Sequence, residues 1–202
     1  MSGFWRGREP LVLASRSEIR RTLLENAGIP VEVVPADIDE RGIESEAKVR
    51  DPTEAAMLLA CEKAAAISRR MPGRWVLGAD QTLALGARRL SKPADRQAAA
   101  AQLTALRGRS HSLHAAAALV QNGETKFAHV DSATLTMRHF PDAFLDLYLT
   151  AVGDAACSSV GGYQLEGRGV LLFDRIEGDH FTILGLPLLP LLAGLRELGL
   201  ML

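Results

Sequence analysis

At 202 residues, with 48% hydrophobic and 23% charged content, the chain has the makeup of one ordinary globular domain spanning 1–202. It is long enough to bury a core without metal or disulfide staples. A net charge of −1 excludes a general electrostatic attraction to a nucleic-acid polymer or a membrane surface, so any anion site has to be built locally. Cys61 and Cys157 show neither metal spacing nor disulfide density and read as small hydrophobes of a cytoplasmic protein. Segment 1–10 lacks the apolar stretch of a signal peptide. The apolar run 182–195 is short of the ~20 residues a membrane span needs and carries Pro187 and Pro190, so it reads as a packed terminal helix.

In chain order, Leu11-Val-Leu-Ala predicts a buried strand, followed by a helix from about Ser17 to Asn26 that stops at Gly28. A second strand begins at Val31 and leads into an acidic loop, Asp37-Ile-Asp39-Glu40. Asp51-Pro-Thr-Glu is a strong helix start, and that helix runs to about Arg70. Trp75 to Leu85 reads as apolar strand interrupted by Gly78-Ala79-Asp80, then a Gly-Ala-Arg-Arg turn and Leu90-Ser-Lys92-Pro93. An Ala-rich helix over about 95–106 follows. Two long strands flank the turn signal Asn122-Gly123. Pro141 opens another helix, a Gly-rich stretch from Gly161 to Gly169 feeds a strand at Val170-Leu-Leu-Phe, and a last helix covers about 187–198. Alternating strands and helices interrupted by a hairpin argue an α/β fold with a mixed central sheet flanked by helices.

Five places could carry chemistry. Ser15-Arg16-Ser17-Glu18-Ile19-Arg20-Arg21 joins a strand to a helix N-terminus, where unpaired N–H groups, hydroxyls and guanidiniums suit an anion; the same residues equally suit a Ser17 N-cap with a solvated Arg face. Asp37, Asp39 and Glu40 offer the hard oxygens that Mg²⁺ takes, or simply an acidic turn. Lys63 lies on a helix apolar on nearly every face, one turn from Leu59 and Ile67, where a lysine is rare unless its head reaches water or a partner. Asp80 is expected where an apolar strand gives out, beside small residues that leave room for something bulky. A carboxylate there is costly without a partner, a metal or a reaction to run. With Lys92 it forms the two poles expected of a site for a metal-bound phosphate. The stretch 161–169 lets backbone approach a ligand, and Gln81 and Glu166 can read a base edge as donor plus acceptor and as acceptor. No dinucleotide fingerprint, P-loop, zinc motif or nucleophile elbow occurs.

Taken together, Leu13-Ala-Ser-Arg-Ser, Pro35-Ala-Asp-Ile-Asp-Glu, Glu62-Lys-Ala, Gly78-Ala-Asp-Gln, Lys92-Pro, Leu106-Arg-Gly-Arg-Ser-His, Arg175-Ile-Glu-Gly-Asp and Gly185-Leu-Pro resemble the Maf family of nucleoside triphosphate pyrophosphatases, also called septum-formation-inhibitor-like proteins. Each piece is weak alone; their order and spacing over nearly the whole chain are specific. The resemblance implies an α/β fold of two lobes with a deep cleft, similar to inosine triphosphatases. It also implies hydrolysis of a nucleoside triphosphate to monophosphate and diphosphate, a divalent cation (Mg²⁺ or Mn²⁺), and frequent homodimers. It makes Asp80 the proton acceptor, sets Ser15, Arg20, Lys63 and Lys92 on phosphates, and leaves the metal to Asp80 with Asp39 or Glu40. Base choice in the family tracks three positions matched by Ile19, Gln81 and Glu166. Arg, Thr and Gln there go with dTTP and UTP; Trp, Gln and Glu go with 7-methyl-GTP. The chain carries the second and third of the latter set, so the expected preference is 7-methyl-GTP-like or broadly purine. A dTTP/UTP enzyme, or a nucleotide-binding regulator of cell division without catalysis, is the alternative. Ser17-Glu18 departs from the usual Ser-Pro, and Ile19 cannot stack on a cationic base as Trp would.

Overall fold

The computed structural model describes residues 3–202; Met1 and Ser2, the start of the segment read above for a signal peptide, lie outside the described residues. Strand β1 (Leu11–Leu13) is fully buried and pairs in parallel with β2 (Val31–Val33) on one edge and with β3 (Val76–Leu85) on the other. Helix α1 (Glu18–Asn26) follows β1, with Ser17 as its N-cap. Helix α2 (Glu40–Ala47) is capped by Asp39, and α3 (Pro52–Arg70) is capped by Asp51 with Pro52 in its first turn. Short strand β4 (Arg88–Leu90) folds back on β3, and α4 (Arg96–Leu106) follows. The long hairpin β5 (Ser110–Gln121) and β6 (Glu124–Met137) turns at Asn122-Gly123, both with positive φ as a tight hairpin turn demands. Then come α5 (Asp142–Val152), three short 3₁₀ turns, β7 (Phe173–Glu177), α6 (His180–Ile183) and α7 (Leu188–Glu197). The strand order is β2-β1-β3-β5-β6-β7, with β4 on β3, parallel at β2-β1-β3 and antiparallel at β3-β4 and β6-β7. The expected α/β class with a mixed sheet and flanking helices therefore holds. No helix among the described residues is long and apolar enough to cross a membrane.

The chain divides into two compact units. The first takes the chain to Gln81, the hairpin tip His114–Asp131 and Gly185–Leu202. Its core is built of small residues. Ala56 and Ala60 of α3 pack with Ala116 and Ala118, while Ala64 and Ile67 pack with Val12, Ala14, Val76 and Val120. The second takes Thr82–Leu113 and Ser132–Leu184. Its core is larger-grained, with Leu103, Leu106, Leu135, Met137, Phe140, Tyr148 and Tyr163.

Four local expectations need correction. The stretch after β2 is not all loop: Asp39 accepts a hydrogen bond from the Gly42 N–H and starts α2, a cap signal the acidic composition concealed. Asp80 does not mark a strand's end but lies mid-way along β3, which runs on past the end of β1. The turn after β3 takes only Gly86 and Ala87, and Arg88 and Arg89 belong to β4. Finally, Arg168–Leu172 is a 3₁₀ turn with Val170 and Leu171 exposed; the strand begins at Phe173, where pairing with Met137 begins.

Candidate active site

The first unit meets a topological rule. β1 is flanked by the strand that follows it and by β3, so successive connections leave it in opposite directions, and such a switch point opens a site at the carboxyl ends of the strands. On β3, period-2 alternation puts Gly78 and Asp80 on one face and Ala79 and Gln81 on the other. Gly78 is where α3 touches the strand: a Cβ there would lie 2.0 Å from the Ala60 carbonyl oxygen and 2.7 Å from the Ala64 nitrogen. The room left by Gly78 is thus filled by a helix backbone, not by a ligand as its small size had suggested. That close approach delivers Lys63, next to Ala64, to Asp80 two residues along the same face.

Lys63 Nζ donates to Asp80 Oδ1 at 2.6 Å and lies 2.6 Å from Glu40 Oε1. Lys63 and Asp80 are both buried, whereas the Glu40 side chain stays half exposed. Burial pushes the Asp80 carboxyl above its ordinary range; the Lys63 and Arg20 charges oppose that shift and Glu40 adds to it. An ammonium between two carboxylates is held firmly, since losing one partner strands a charge in a poorly solvated place.

Arg20, on the first turn of α1, is also buried. Its Nη1 donates to Ser15 Oγ at 3.1 Å and to the Ala79 carbonyl at 2.9 Å, and its Nε donates to the Gly185 carbonyl at 2.8 Å. The reason lies in the ladder. Leu77 O accepts from Ala14 N, but β1 then ends, and the next carbonyl along that edge, Ala79 O, takes a guanidinium instead. Burial draws Arg20 below the ordinary arginine value, with Asp80 and Glu40 opposing. Ser15 Oγ also accepts from Ser17 N at 3.3 Å, closing the bend into α1.

Ser15, Arg20, Glu40, Lys63, Asp80 and Gln81 all belong to the first unit, the first five linked by these contacts. Ile19 is half-buried on α1. Asp39 is spent on capping α2, and Asp37 pairs with Arg16 on the exposed surface. Lys92 and Glu166 belong to the second unit and are exposed there. Neither the anchoring role of the Ala79 carbonyl nor that of Gly185 was found by sequence reasoning. Gly185-Leu-Pro stood out as a motif, but a backbone carbonyl leaves no residue-type signal.

Two carboxylates converge on one cationic position, which is the donor set a hard divalent ion accepts. Among the described residues, no three His, Cys, Asp or Glu side chains gather as a ready metal cage. The remaining ligands of such an ion would come from water and phosphate.

The chain is similar to known proteins along nearly its whole length. A nucleoside triphosphate pyrophosphatase of Rhodopseudomonas palustris strain BisB18 is 61% identical over 193 residues, covering 96% of each chain. A 7-methyl-GTP pyrophosphatase of Mesorhizobium japonicum is 51% identical over 195 residues, covering 95% of this chain and 97% of its own. Among solved structures, a HAM1 protein from Coxiella burnetii superposes with a TM-score of 0.44 at 20% identity, over 65% of this chain and 74% of that one. Residues 10–198 match the Maf-like protein family, and with relatives more than half identical along nearly the full length, the chain belongs to that family.

Proposed function

We propose that the protein is a nucleoside triphosphate pyrophosphatase that cleaves between the α and β phosphates and so clears modified or unwanted nucleotides from the cytoplasmic pool. The observation that carries this reading is the buried Lys63 ammonium 2.6 Å from both the Asp80 and Glu40 carboxylates, at the carboxyl end of β1. Names borne by relatives as similar as 61% support it. Water attacks the α phosphorus, its oxygen forms the new bond, and the bridging P–O bond breaks so that diphosphate leaves with the electron pair. Asp80 takes the proton of the attacking water; a carboxyl raised by burial is a better base than an exposed one. Lys63 and Arg20 supply positive charge toward the anhydride oxygens, and Ser15 lines the bend where phosphate would meet the α1 N-terminus. Asp80 and Glu40 would hold a divalent ion, with Asp39 left to its helix cap. When bound, that ion supplies charge neutralisation to the phosphate oxygens.

The proposed preference is for 7-methyl-GTP or other purine nucleotides. Gln81 and Glu166 match the pair noted above, and a relative named 7-methyl-GTP pyrophosphatase is 51% identical. A carboxylate accepts from the N1–H and exocyclic amine of guanine and repels the carbonyls of uracil or thymine. The test is diphosphate release across canonical and methylated triphosphates, with Mg²⁺ or Mn²⁺, for wild type and Glu166→Gln. Absence of release from every nucleotide rejects the reaction, and an unchanged profile in Glu166→Gln rejects the preference.

A further inference from the structure

Two motifs play no part in the chemistry above: Leu106-Arg-Gly-Arg-Ser-His and, Glu166 apart, the Gly-rich stretch 161–169. The second unit brings them together. His111, the last residue of the first motif, is buried on β5, and its Nε2 shares a 2.6 Å hydrogen bond with the Tyr163 hydroxyl. Tyr163 is buried too, its ring edge-on to Phe173 with centroids 4.8 Å apart. The other ring nitrogen, Nδ1, is buried with no hydrogen-bond partner among the described residues. A phenylalanine would fill the same space without that cost, so what the histidine adds is its bond to Tyr163. On either side of Tyr163 the backbone is tightly fixed. Gly161 and Gly162 have φ of +81 and +78, which residues with side chains rarely adopt, and the Tyr148 hydroxyl donates to the Gly162 carbonyl at 3.3 Å. Beyond Tyr163, the Gln164 carbonyl accepts from the Gly167 N–H at 3.2 Å and the Gly169 N–H at 3.1 Å. That closes 164–169 into one turn with the exposed Glu166 on it, three residues after a ring locked in the core.

We propose that His111 and Tyr163 are positioning residues for base recognition: their hydrogen bond fixes the turn 164–169 and thereby the direction in which Glu166 meets the nucleotide base. The inference rests on the pyrophosphatase reading and on Glu166 accepting from the base. Both residues act through the turn, not on the substrate.

The test is Tyr163→Phe, which keeps the ring and removes the hydroxyl, read in two ways. In the nucleotide-free protein, hydrogen exchange of the Gly167 and Gly169 amides speeds up severalfold as the turn loosens. In turnover, the ratio of kcat/KM for 7-methyl-GTP over UTP falls about tenfold, the size of a misplaced hydrogen bond to a charged group. The loss sits in KM more than in kcat, because Asp80 belongs to the other unit. The double variant Tyr163→Phe/Glu166→Gln shows no further fall beyond Glu166→Gln alone, as expected of residues acting through one another. A purely structural pair lowers the rate on both substrates equally and leaves the ratio unchanged, which overturns the inference, as does unaltered exchange of the two amides. Should Tyr163→Phe fail to fold by circular dichroism, His111→Phe removes the same bond from the other side. The same two changes are expected, and the absence of either again overturns it. A wild type inactive on every nucleotide overturns the pyrophosphatase reading and this one with it, while an active wild type with variants of unaltered ratio overturns this one alone.

Discussion

The two units bury polar groups in opposite ways. The first buries charge: Arg20, Lys63 and Asp80 are each at most 9% exposed, and each has an opposite charge or a carbonyl in reach. The second buries a neutral ring. His111, 2% exposed on β5, shares a 2.6 Å hydrogen bond with the Tyr163 hydroxyl, and its ring packs against Tyr163 and Phe173. Its Nδ1 has no hydrogen-bond partner among the described residues, and burial pulls the imidazole down to about 4. A neutral ring costs little to bury, whereas three charges cost several kcal/mol each unless paired. A fold keeps the second arrangement where packing is the need and the first where charge has a task. The backbones differ alike, with alanines admitting a helix onto β3 in one unit and leucines with aromatic rings filling the other.

The largest effect expected is on the charged side. Asp80→Asn lowers kcat by about 10³-fold or more, since the amide accepts no proton, while circular dichroism and chromatographic behaviour stay those of wild type; near-normal turnover would remove Asp80 from the chemistry. Next is Gly78→Ala. A methyl 2.0 Å from the Ala60 carbonyl cannot be relieved by a side-chain rotation, so α3 must shift. Denaturant unfolding should register a loss of about 3 kcal/mol, with activity falling as Lys63 leaves Asp80. An unaffected midpoint would mean that α3 does not rest on β3 as described.

The third sharpens the neutral side. The His111 imidazole sits at about 4 in the fold against 6.5 when unfolded, so below pH 6.5 the unfolded chain binds the extra proton. Stability present above that pH is therefore lost as pH falls toward 4. The loss is roughly 2 kcal/mol between about pH 6.5 and about pH 4.5, and His111→Phe flattens that limb. A limb equally steep in the variant assigns the loss to other groups. The smallest effect belongs to the surface: Asp37, paired with exposed Arg16, changes stability by less than about 0.5 kcal/mol when replaced by Ala. A larger loss, or loss of turnover, would return Asp37 to the site.

Local chemistry wrote much of this molecule directly into the chain. Asp51-Pro52 starts α3, Ser17 starts α1 and Asn122-Gly123 turns the hairpin, because caps and turns need only near neighbours. Lys63 and Asp80 were visible for the same reason: a charge within an apolar run is conspicuous wherever the chain later goes. What neighbours cannot encode is which elements meet. Seventeen residues separate Lys63 from Asp80, and 165 separate Arg20 from Gly185. Only parallel pairing of β1 with β3 and the contact of α3 with Gly78 choose Glu40 over Asp39 as the acid facing Lys63. The same packing lets β3 outrun β1 and leaves the Ala79 carbonyl to a buried arginine.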